Sequence, residues 1–341
     1  MVQIEENKDL KALNTFGFNV KGKHFTTVHS KNEVQELIQT DLYQREKHLI
    51  LGGGSNLLFK KDFDGLLIKV NLKGMTVISE SEDSVLLKVA SGEVWHELVL
   101  HCVKNNWGGI ENLSLIPGLV GAAPIQNIGA YGTEIKNVIT EVEGIDLKTG
   151  MTRSFTNEQC CFGYRESVFK NTLREKYFIS SITLTLTKKN HHFNTNYGSI
   201  HDTLKSMNID QPTIHSISDA VIAIRQSKLP DPRLIGNAGS FFKNPSITLN
   251  QYQLLQKSNP TIPSYPSANQ EVKVPAGWLI EQCGWKGKKN NHVGVHPQQA
   301  LVLVNYGDGS GEDVFNLAMK IASSVKEKFN IELTPEVNII E

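Results

Sequence analysis

The apolar run Leu49-Ile50-Leu51 leads straight into Gly52-Gly53-Gly54-Ser55-Asn56. Without Cβ atoms, such a loop can turn several backbone N–H groups toward one phosphate, and the Ser55 and Asn56 side chains can add donors. A tight turn with no ligand is the alternative for this loop taken alone. A second small-residue loop follows, Ile116-Pro117-Gly118-Leu119-Val120-Gly121-Ala122-Ala123-Pro124-Ile125-Gln126-Asn127-Ile128-Gly129-Ala130-Tyr131-Gly132, glycine-rich and almost free of charge. Two such loops suggest one long ligand. No Gly-Lys-Ser/Thr follows either glycine run, and Leu57 stands where the last glycine of Gly-x-Gly-x-x-Gly belongs, which disfavours P-loop and Rossmann readings.

Three further residues can do chemistry. Ser240 sits in Asn237-Ala238-Gly239-Ser240-Phe241-Phe242-Lys243-Asn244-Pro245, between a glycine and two phenylalanines. Gly-x-Ser-x-Gly is absent, and no Asp or His stands at a persuasive position, so a nucleophile is disfavoured. Its hydroxyl can instead give a proton to a carbanion or enolate, a role worth roughly 10²- to 10⁴-fold in rate; a backbone-capping turn serine is the other reading. Arg165, in Phe162-Gly163-Tyr164-Arg165-Glu166-Ser167, can bind a carboxylate with its forked guanidinium or form a surface ion pair. Glu336, in Leu333-Thr334-Pro335-Glu336-Val337, is an acid within an apolar stretch that can also face solvent. These residues alone reach as far as a ligand-binding α+β enzyme with anion loops.

The elements that must hold these residues are mixed. Val34, Leu37 and Ile38 fit a short helix and His48 to Leu51 a strand. Val85, Leu87 and Val89 alternate as in a strand, while Trp95, Leu98, Val99, Cys102 and Val103 recur at helical spacing after Ser91-Gly92. Strands are expected over 138–147 and 178–186, the second marked by Ile182, Leu184 and Leu186 alternating with threonines. A helix over 218–227 runs into Leu229-Pro230-Asp231-Pro232, where a domain boundary is expected. Beyond it lie polar loops around 260–267, a helix over 276–283 stopped by Gly284, a strand over 300–304, and a helix capped by Ser310 and Asp313. A closing strand is expected over 331–340.

The 341 residues, 39% hydrophobic, are more than one core usually organises, so two or three domains are expected. Lys plus Arg equals Asp plus Glu at 35 each, leaving no global field for nucleic acid or an anionic membrane, so an anionic ligand must be met locally. The N-terminus has neither the basic start nor the apolar run of a signal peptide, and no apolar stretch reaches membrane-spanning length. A soluble, cytoplasmic protein is expected. Cys102, Cys160, Cys161 and Cys283 lack Cys-x-x-Cys spacing and read as reduced, and the histidines show no metal-site pattern, so no metal is expected. His191-His192 reads as a solvated loop.

Asn14-Thr15-Phe16-Gly17, the two glycine loops, Phe-Gly-Tyr-Arg, Lys-Leu-Pro-Asp-Pro, Asn-Ala-Gly-Ser-Phe-Phe-Lys-Asn-Pro and Pro-Glu-Val together resemble, in order and spacing, the UDP-N-acetylenolpyruvoylglucosamine reductase family. The resemblance spans nearly the whole chain. It implies an α+β fold: an FAD-binding fold of the vanillyl-alcohol-oxidase type, with one subdomain over 1–73 and a second over 74–229. A substrate-binding domain over 230–330 and the closing segment 331–341 carrying Glu336 would complete it. It also implies non-covalent FAD, NADPH as hydride donor, and reduction of an enolpyruvyl sugar nucleotide to UDP-N-acetylmuramate for peptidoglycan, by a monomer that a monovalent cation can assist.

Residue by residue, Arg165 and Glu336 match the family's pair at the substrate carboxylate and Ser240 its proton donor. Gly52, Gly53, Gly54, Ser55, Asn56, Pro117, Gly118, Gly121, Ala122, Ile125, Gln126, Asn127, Gly129, Ala130 and Tyr131 would line the flavin. Tyr197 matches the tyrosine of a substrate-covering loop found in one subclass; Lys228, Asn244, Tyr265 and Gln299 match UDP-sugar contacts. Two positions depart from the pattern. Asn338 stands where an arginine is expected, which leaves Lys273 as a replacement base, and Ala122-Ala123 stand where hydroxyl residues can occur, leaving flavin contacts there to backbone N–H groups. The rival readings are a flavin oxidase on the same fold and a non-catalytic nucleotide-sugar binder; neither glycine loop holds a His or Cys for covalent flavin attachment.

Overall fold

The computed structural model describes residues 2–266 and 270–341; Met1 and the last residue of the loop expected around 260–267 lie outside them. The chain forms two compact units. The first comprises Met1–Lys8, Gly22–Gly53 and Asp64–Ser227, the second Asp9–Lys21, Gly54–Phe63 and Lys228–Glu341. No helix of the described residues is long and apolar enough to cross a membrane.

The first unit is built on two sheets. Strands Glu5–Asp9, Lys21–Val28, Phe63–Val70 and His48–Leu51 lie in that order in a four-stranded sheet. His48–Leu51 runs parallel to Phe63–Val70, with Leu51 opposite Lys69, so the first glycine loop leaves from the end of a parallel pair at the fully buried Leu51. A five-stranded sheet has the order Thr152–Thr156, Ile139–Asp146, Tyr177–Thr187, Ser84–Ala90, Met75–Glu80. The alternation read at Ile182, Leu184 and Leu186 puts these residues into a core with Val85, Leu87 and Val89. The helix Trp95–Lys104 adds Trp95, Leu98, Val99, Cys102 and Val103 to that core, the face its 3.6-residue period specified. His191 is only partly exposed: its Nδ1 lies 2.7 Å from Thr187 Oγ1, and its ring is 5.8 Å from Phe193.

The helix expected over 218–227 starts earlier, spanning Ile214–Lys228 with Ile214, Ile217, Val221 and Ile224 buried. In the second unit the strands Gly236–Ser240, Val302–Asn305, Val293–Val295 and Lys289–Asn290 form a four-stranded antiparallel sheet. Ser310 and Asp313 complete a capping box for the helix Gly311–Phe329. The helix Ala276–Gln282 ends as expected at Gly284, whose φ is +73°.

The closing strand is shorter than the sequence suggests. Among the described residues, only Asn338–Ile340 of this segment forms a strand, parallel to Leu57–Phe59, and 331–337 contributes a single isolated bridge between Pro335 and Phe242. Pro335 has no N–H to continue a ladder, and the buried Ile331, Leu333 and Val337 made an irregular segment look like a strand. Tyr265–Pro266 forms a short strand within the expected polar loop, paired with Glu271–Lys273.

Candidate active site

The two glycine loops meet. A Cβ on Gly53 would lie 2.8 Å from Gly118 Cα, closer than any side chain tolerates, whereas one on Gly52 would approach only Ala122 Cβ, at 4.0 Å. Gly53 is therefore glycine because the second loop passes against it. Gly54 is fixed twice over, by a φ of +65° and by Leu13 O, 1.9 Å from where its Cβ would stand. Among the described residues, the N–H groups of Gly53, Gly54 and Ser55 donate no hydrogen bond, while Lys69 Nζ holds the Gly52 carbonyl. Burial, with Lys73 nearby, lowers the Lys69 pKa below 10.5. A loop with idle N–H groups and a cation beneath it is chemically suited to a pyrophosphate.

The second loop uses its donors differently. The Ala122 and Ala123 N–H groups bond to Leu119 O (3.1 Å) and Val120 O (3.0 Å), closing the one-turn 3₁₀ helix Val120–Ala122, and the Gly121 N–H bonds to Ser91 O (2.9 Å). The backbone N–H groups of Ala122 and Ala123, expected to serve the flavin, are engaged within that turn. What the loop leaves accessible is apolar surface: Pro117, Ala122 and Ile125 are exposed. Such surface suits the face of a ring better than a phosphate.

Downstream, Gly129–Ala130 and Thr133–Glu134 form a hairpin whose two-residue turn, Tyr131-Gly132, has φ of +49° and +77°. This hairpin holds Arg165. Arg165 Nη2 donates to Gly129 O at 2.5 Å and Nη1 to Asn127 O at 3.4 Å. A Cβ on Gly129 would stand 3.0 Å from Nη1, so glycine makes room for the guanidinium. The arginine itself occupies a left-handed conformation, φ +55°, at the tip of a tight turn closed by the Gly163 and Glu166 main chains, a strained setting of the kind found where a side chain must be aimed. Asn127 is fully buried; its Nδ2 donates to Gly163 O (2.8 Å) and Glu134 Oε2 (3.1 Å), and its Oδ1 accepts from Lys136 N (3.1 Å). That carboxamide braces the Arg165 turn. Ser167 Oγ, donating to Ile125 O at 2.6 Å, fixes the other side.

In the second unit, Ser240 ends the strand Gly236–Ser240, beyond a register shift and next to Gly239 at φ +70°. Phe241 and Phe242 are each 1% exposed, so the residues after the serine anchor it in the core while its hydroxyl, itself accessible, has no hydrogen-bond partner among the described residues. Glu336 N donates to Phe241 O at 2.7 Å, which brings Ser240 and Glu336 onto adjoining backbone. Asn56 Nδ2 donates to Glu336 O (3.3 Å), and Asn338 donates to Asn56 O through both its N–H (3.0 Å) and its Nδ2 (3.1 Å). Asn338, where a cation was expected, thus pins the end of the first glycine loop. The Asn14-Thr15-Phe16-Gly17 segment ties that loop to the serine strand: Thr15 N bonds Gly54 O and Asn237 N bonds Thr15 O, while a Cβ on Gly236 would stand 2.1 Å from Phe16 O.

The remaining expected substrate contacts occupy varied settings. Lys228 ends its helix, Tyr197 and Tyr265 are exposed, and Lys273 pairs in register with Tyr265 and Ser246. Asn244 Oδ1 caps the helix Ala276–Gln282 by accepting from Ala276 N (2.9 Å), and Gln299 Oε1 faces Gly277 of that helix. Gln126 lies half-buried in the second loop. Sequence patterns pointed to none of Lys69, His96, Asn112 or Arg225. Leu115, at φ +58°, is held by His96 Nδ1, which accepts its N–H at 2.9 Å, and by Arg225 Nε, which donates to its carbonyl at 3.2 Å. Burial lowers the pKa of His96, with Arg225 adding to this and Glu97 opposing it, which favours the neutral ring that acceptance requires. Each is a single polar side chain reaching a distant backbone group, which no local spacing reveals.

Residues 231–340 match the family model described as the C-terminal domain of UDP-N-acetylenolpyruvoylglucosamine reductase, and residues 23–156 match an FAD binding domain model. The UDP-N-acetylenolpyruvoylglucosamine reductase of Flavobacterium johnsoniae is 49% identical over 99% of this chain and 100% of its own length. The enzyme of the same name from Amoebophilus asiaticus is 48% identical, covering 100% of both chains. The crystal structure of the Thermus caldophilus reductase superposes with a TM-score of 0.66 at 21% identity, over 100% of this chain and 99% of that one, a likeness of fold.

Proposed function

The chain belongs to the UDP-N-acetylenolpyruvoylglucosamine reductase family, an FAD-dependent oxidoreductase family of peptidoglycan precursor synthesis, and on that premise we propose how its own residues serve the reaction. The substrate is UDP-N-acetylglucosamine enolpyruvate, the product UDP-N-acetylmuramate, and NADPH the electron source, in the cytoplasm, with a monomer as the working form. Bound FAD supplies hydride transfer from the nicotinamide to the methylene carbon of the enol ether. The first glycine loop takes the pyrophosphate on the N–H groups of Gly53, Gly54 and Ser55, and the apolar surface of Pro117, Ala122 and Ile125 takes the flat part of the cofactor.

Addition of hydride to the methylene carbon leaves an electron pair on the neighbouring carbon, delocalised into the substrate carboxylate. Arg165, pre-aimed by its turn and by the Gly129 and Asn127 carbonyls, neutralises that carboxylate as charge builds. Preorganised charge of this kind is commonly the largest catalytic contribution. Glu336 orients the same region of the substrate. Ser240 Oγ–H gives its proton to the carbon bearing the electron pair and is reprotonated from water. Lys228, Asn244, Tyr265, Lys273 and Gln299 bind the nucleotide-sugar, Tyr197 covers it, and a monovalent cation supports binding.

The observation that carries this reading is the pairing of an accessible Ser240 hydroxyl, unengaged among the described residues, with Glu336 on adjoining backbone, in a chain alike over its full length to enzymes of that name. The test is a stopped-flow absorbance trace of protein reduced with NADPH under anaerobic conditions and then mixed with UDP-N-acetylglucosamine enolpyruvate. Rapid return of the oxidised flavin band supports the substrate and the relay together. Persistence of the reduced band until oxygen is admitted favours an oxidase.

A further inference from the structure

Residues 188–199 connect the strand Tyr177–Thr187 to the helix Ile200–Ser206 and carry Tyr197. The near end of this segment is fixed by the contact of His191 with Thr187 already described. Its middle is held elsewhere. Asn112, 1% exposed, lies in the short 3₁₀ turn Glu111–Leu113, and its one Nδ2 group donates both to Tyr131 O at 3.1 Å and to Asn194 O at 2.8 Å. Asn194 completes the ring by donating from its own Nδ2 to Gly132 O at 2.9 Å. The two turn carbonyls lie beyond the last ladder pair of the hairpin, Ala130 with Thr133, so asparagine amides take the place of a ladder.

The packing is equally close. A Cβ on Gly132 would stand 2.5 Å from Asn194 Nδ2 and 3.2 Å from Tyr197 Cβ, and one on Gly198 would rest 3.8 Å from the Tyr131 ring. The same hairpin carries the Gly129 carbonyl that receives Arg165. A single buried carboxamide therefore fastens the segment bearing Tyr197 to the element that aims Arg165.

We propose that Asn112 is a positioning residue that latches the Tyr197 segment to the Tyr131-Gly132 turn and so sets how tightly the nucleotide-sugar is held, an inference that rests on the substrate reading above. Asn112→Asp keeps the shape, removes both donors and sets a carboxylate against two carbonyls; Asn194→Ala, at a partly exposed position, removes one bond and leaves the core untouched.

The test is amide hydrogen exchange of the ligand-free holoenzyme combined with the two half-reactions. In Asn112→Asp, exchange over 193–199 accelerates about tenfold or more, the weight of one to two ordinary hydrogen bonds, while the strand Tyr177–Thr187 keeps wild-type protection. The KM for the sugar nucleotide rises by about the same factor, and flavin reduction by NADPH stays within about twofold. Asn194→Ala shows a smaller change of the same kind and carries the test alone if Asn112→Asp does not fold. Unchanged exchange over 193–199, or slowing of both half-reactions in parallel, overturns the proposal. Failure of the wild-type protein to react with the sugar nucleotide would sink the substrate reading and leave the exchange comparison standing.

Discussion

Substitution of Gly53 by alanine tests whether the meeting of the two glycine loops is the seat of the cofactor. The new Cβ would start 2.8 Å from Gly118 Cα, and the atoms it meets are backbone, so no flexible side chain can yield. One of the loops must move by about half an ångström or more, an overpacking whose cost is roughly 1–3 kcal/mol. If that displacement spoils the alignment of the Gly53, Gly54 and Ser55 N–H groups, the cost appears in the cofactor equilibrium as about 5- to 150-fold weaker FAD binding. The assay is titration of apoprotein with FAD, followed by quenching of flavin fluorescence, beside a thermal melt of the apoprotein.

Gly52→Ala is the matched control. Its Cβ meets only Ala122 Cβ, at 4.0 Å, and Gly52 does not need a left-handed φ, so the apoprotein should melt as the wild type does. Weaker FAD binding in Gly52→Ala with an unchanged melt would mean that the ligand itself fills that space. Wild-type FAD affinity in a normally folded Gly53→Ala protein would refute the reasoning, since the loops would then have absorbed the clash without involving the cofactor.

Other substitutions separate the remaining roles. Ser240→Ala should leave flavin reduction by NADPH intact and slow product formation by about 10²- to 10⁴-fold in single-turnover measurements; equal loss in both half-reactions would make the serine structural. Arg165→Lys removes the fork that spans the Gly129 and Asn127 carbonyls, so steady-state kinetics should show kcat falling by about 10²-fold or more with a smaller change in KM. Glu143 governs acid stability: burial disfavours its charge, but Lys31, Ser180 and Lys88 outweigh burial and hold its carboxyl at about 2, below the ordinary 4.5. Its folded-state pKa is depressed, so its contribution is fully present above 4.5 and fades as pH falls toward 2. Glu143→Gln should therefore flatten that limb of a melting-temperature profile against pH; an unchanged acid limb would contradict the assignment.

The fold was largely legible because its long elements carry strong periods. Trp95 to Val103 repeats as a helix does and Ile182 to Leu186 as a strand does, and both patterns ended in one core. The closing segment was misread because burial of Ile331, Leu333 and Val337 mimics a strand when the chain is seen as letters, although Pro335 prevents a ladder. At the site, the glycine loops stood out by composition, yet composition did not show that the turn at Val120–Ala122 uses its own N–H groups. Asn112, Lys69 and His96 were invisible because each acts through contacts to backbone atoms remote in sequence. The left-handed Arg165 and Tyr131 likewise carry no signal, since neither residue type advertises that conformation.

The backbone passes from one compact unit to the other five times, after Lys8, Lys21, Gly53, Phe63 and Ser227. A fragment beginning at Lys228 would therefore lack its own N-terminal pieces: Leu57–Phe59, the partner strand of Asn338–Ile340, and Phe16, whose carbonyl is bonded by Asn305 Nδ2 at 2.9 Å. One protease cut in the 227–230 stretch would nick the chain without releasing a folded product. Shuffling of the C-terminal part onto another flavoprotein by a simple gene fusion would likewise fail unless residues 9–21 and 54–63 travelled with it. This arrangement ties the inheritance of Ser240 to that of residues 9–21 and 54–63, so segments far apart in the chain are constrained to evolve as one.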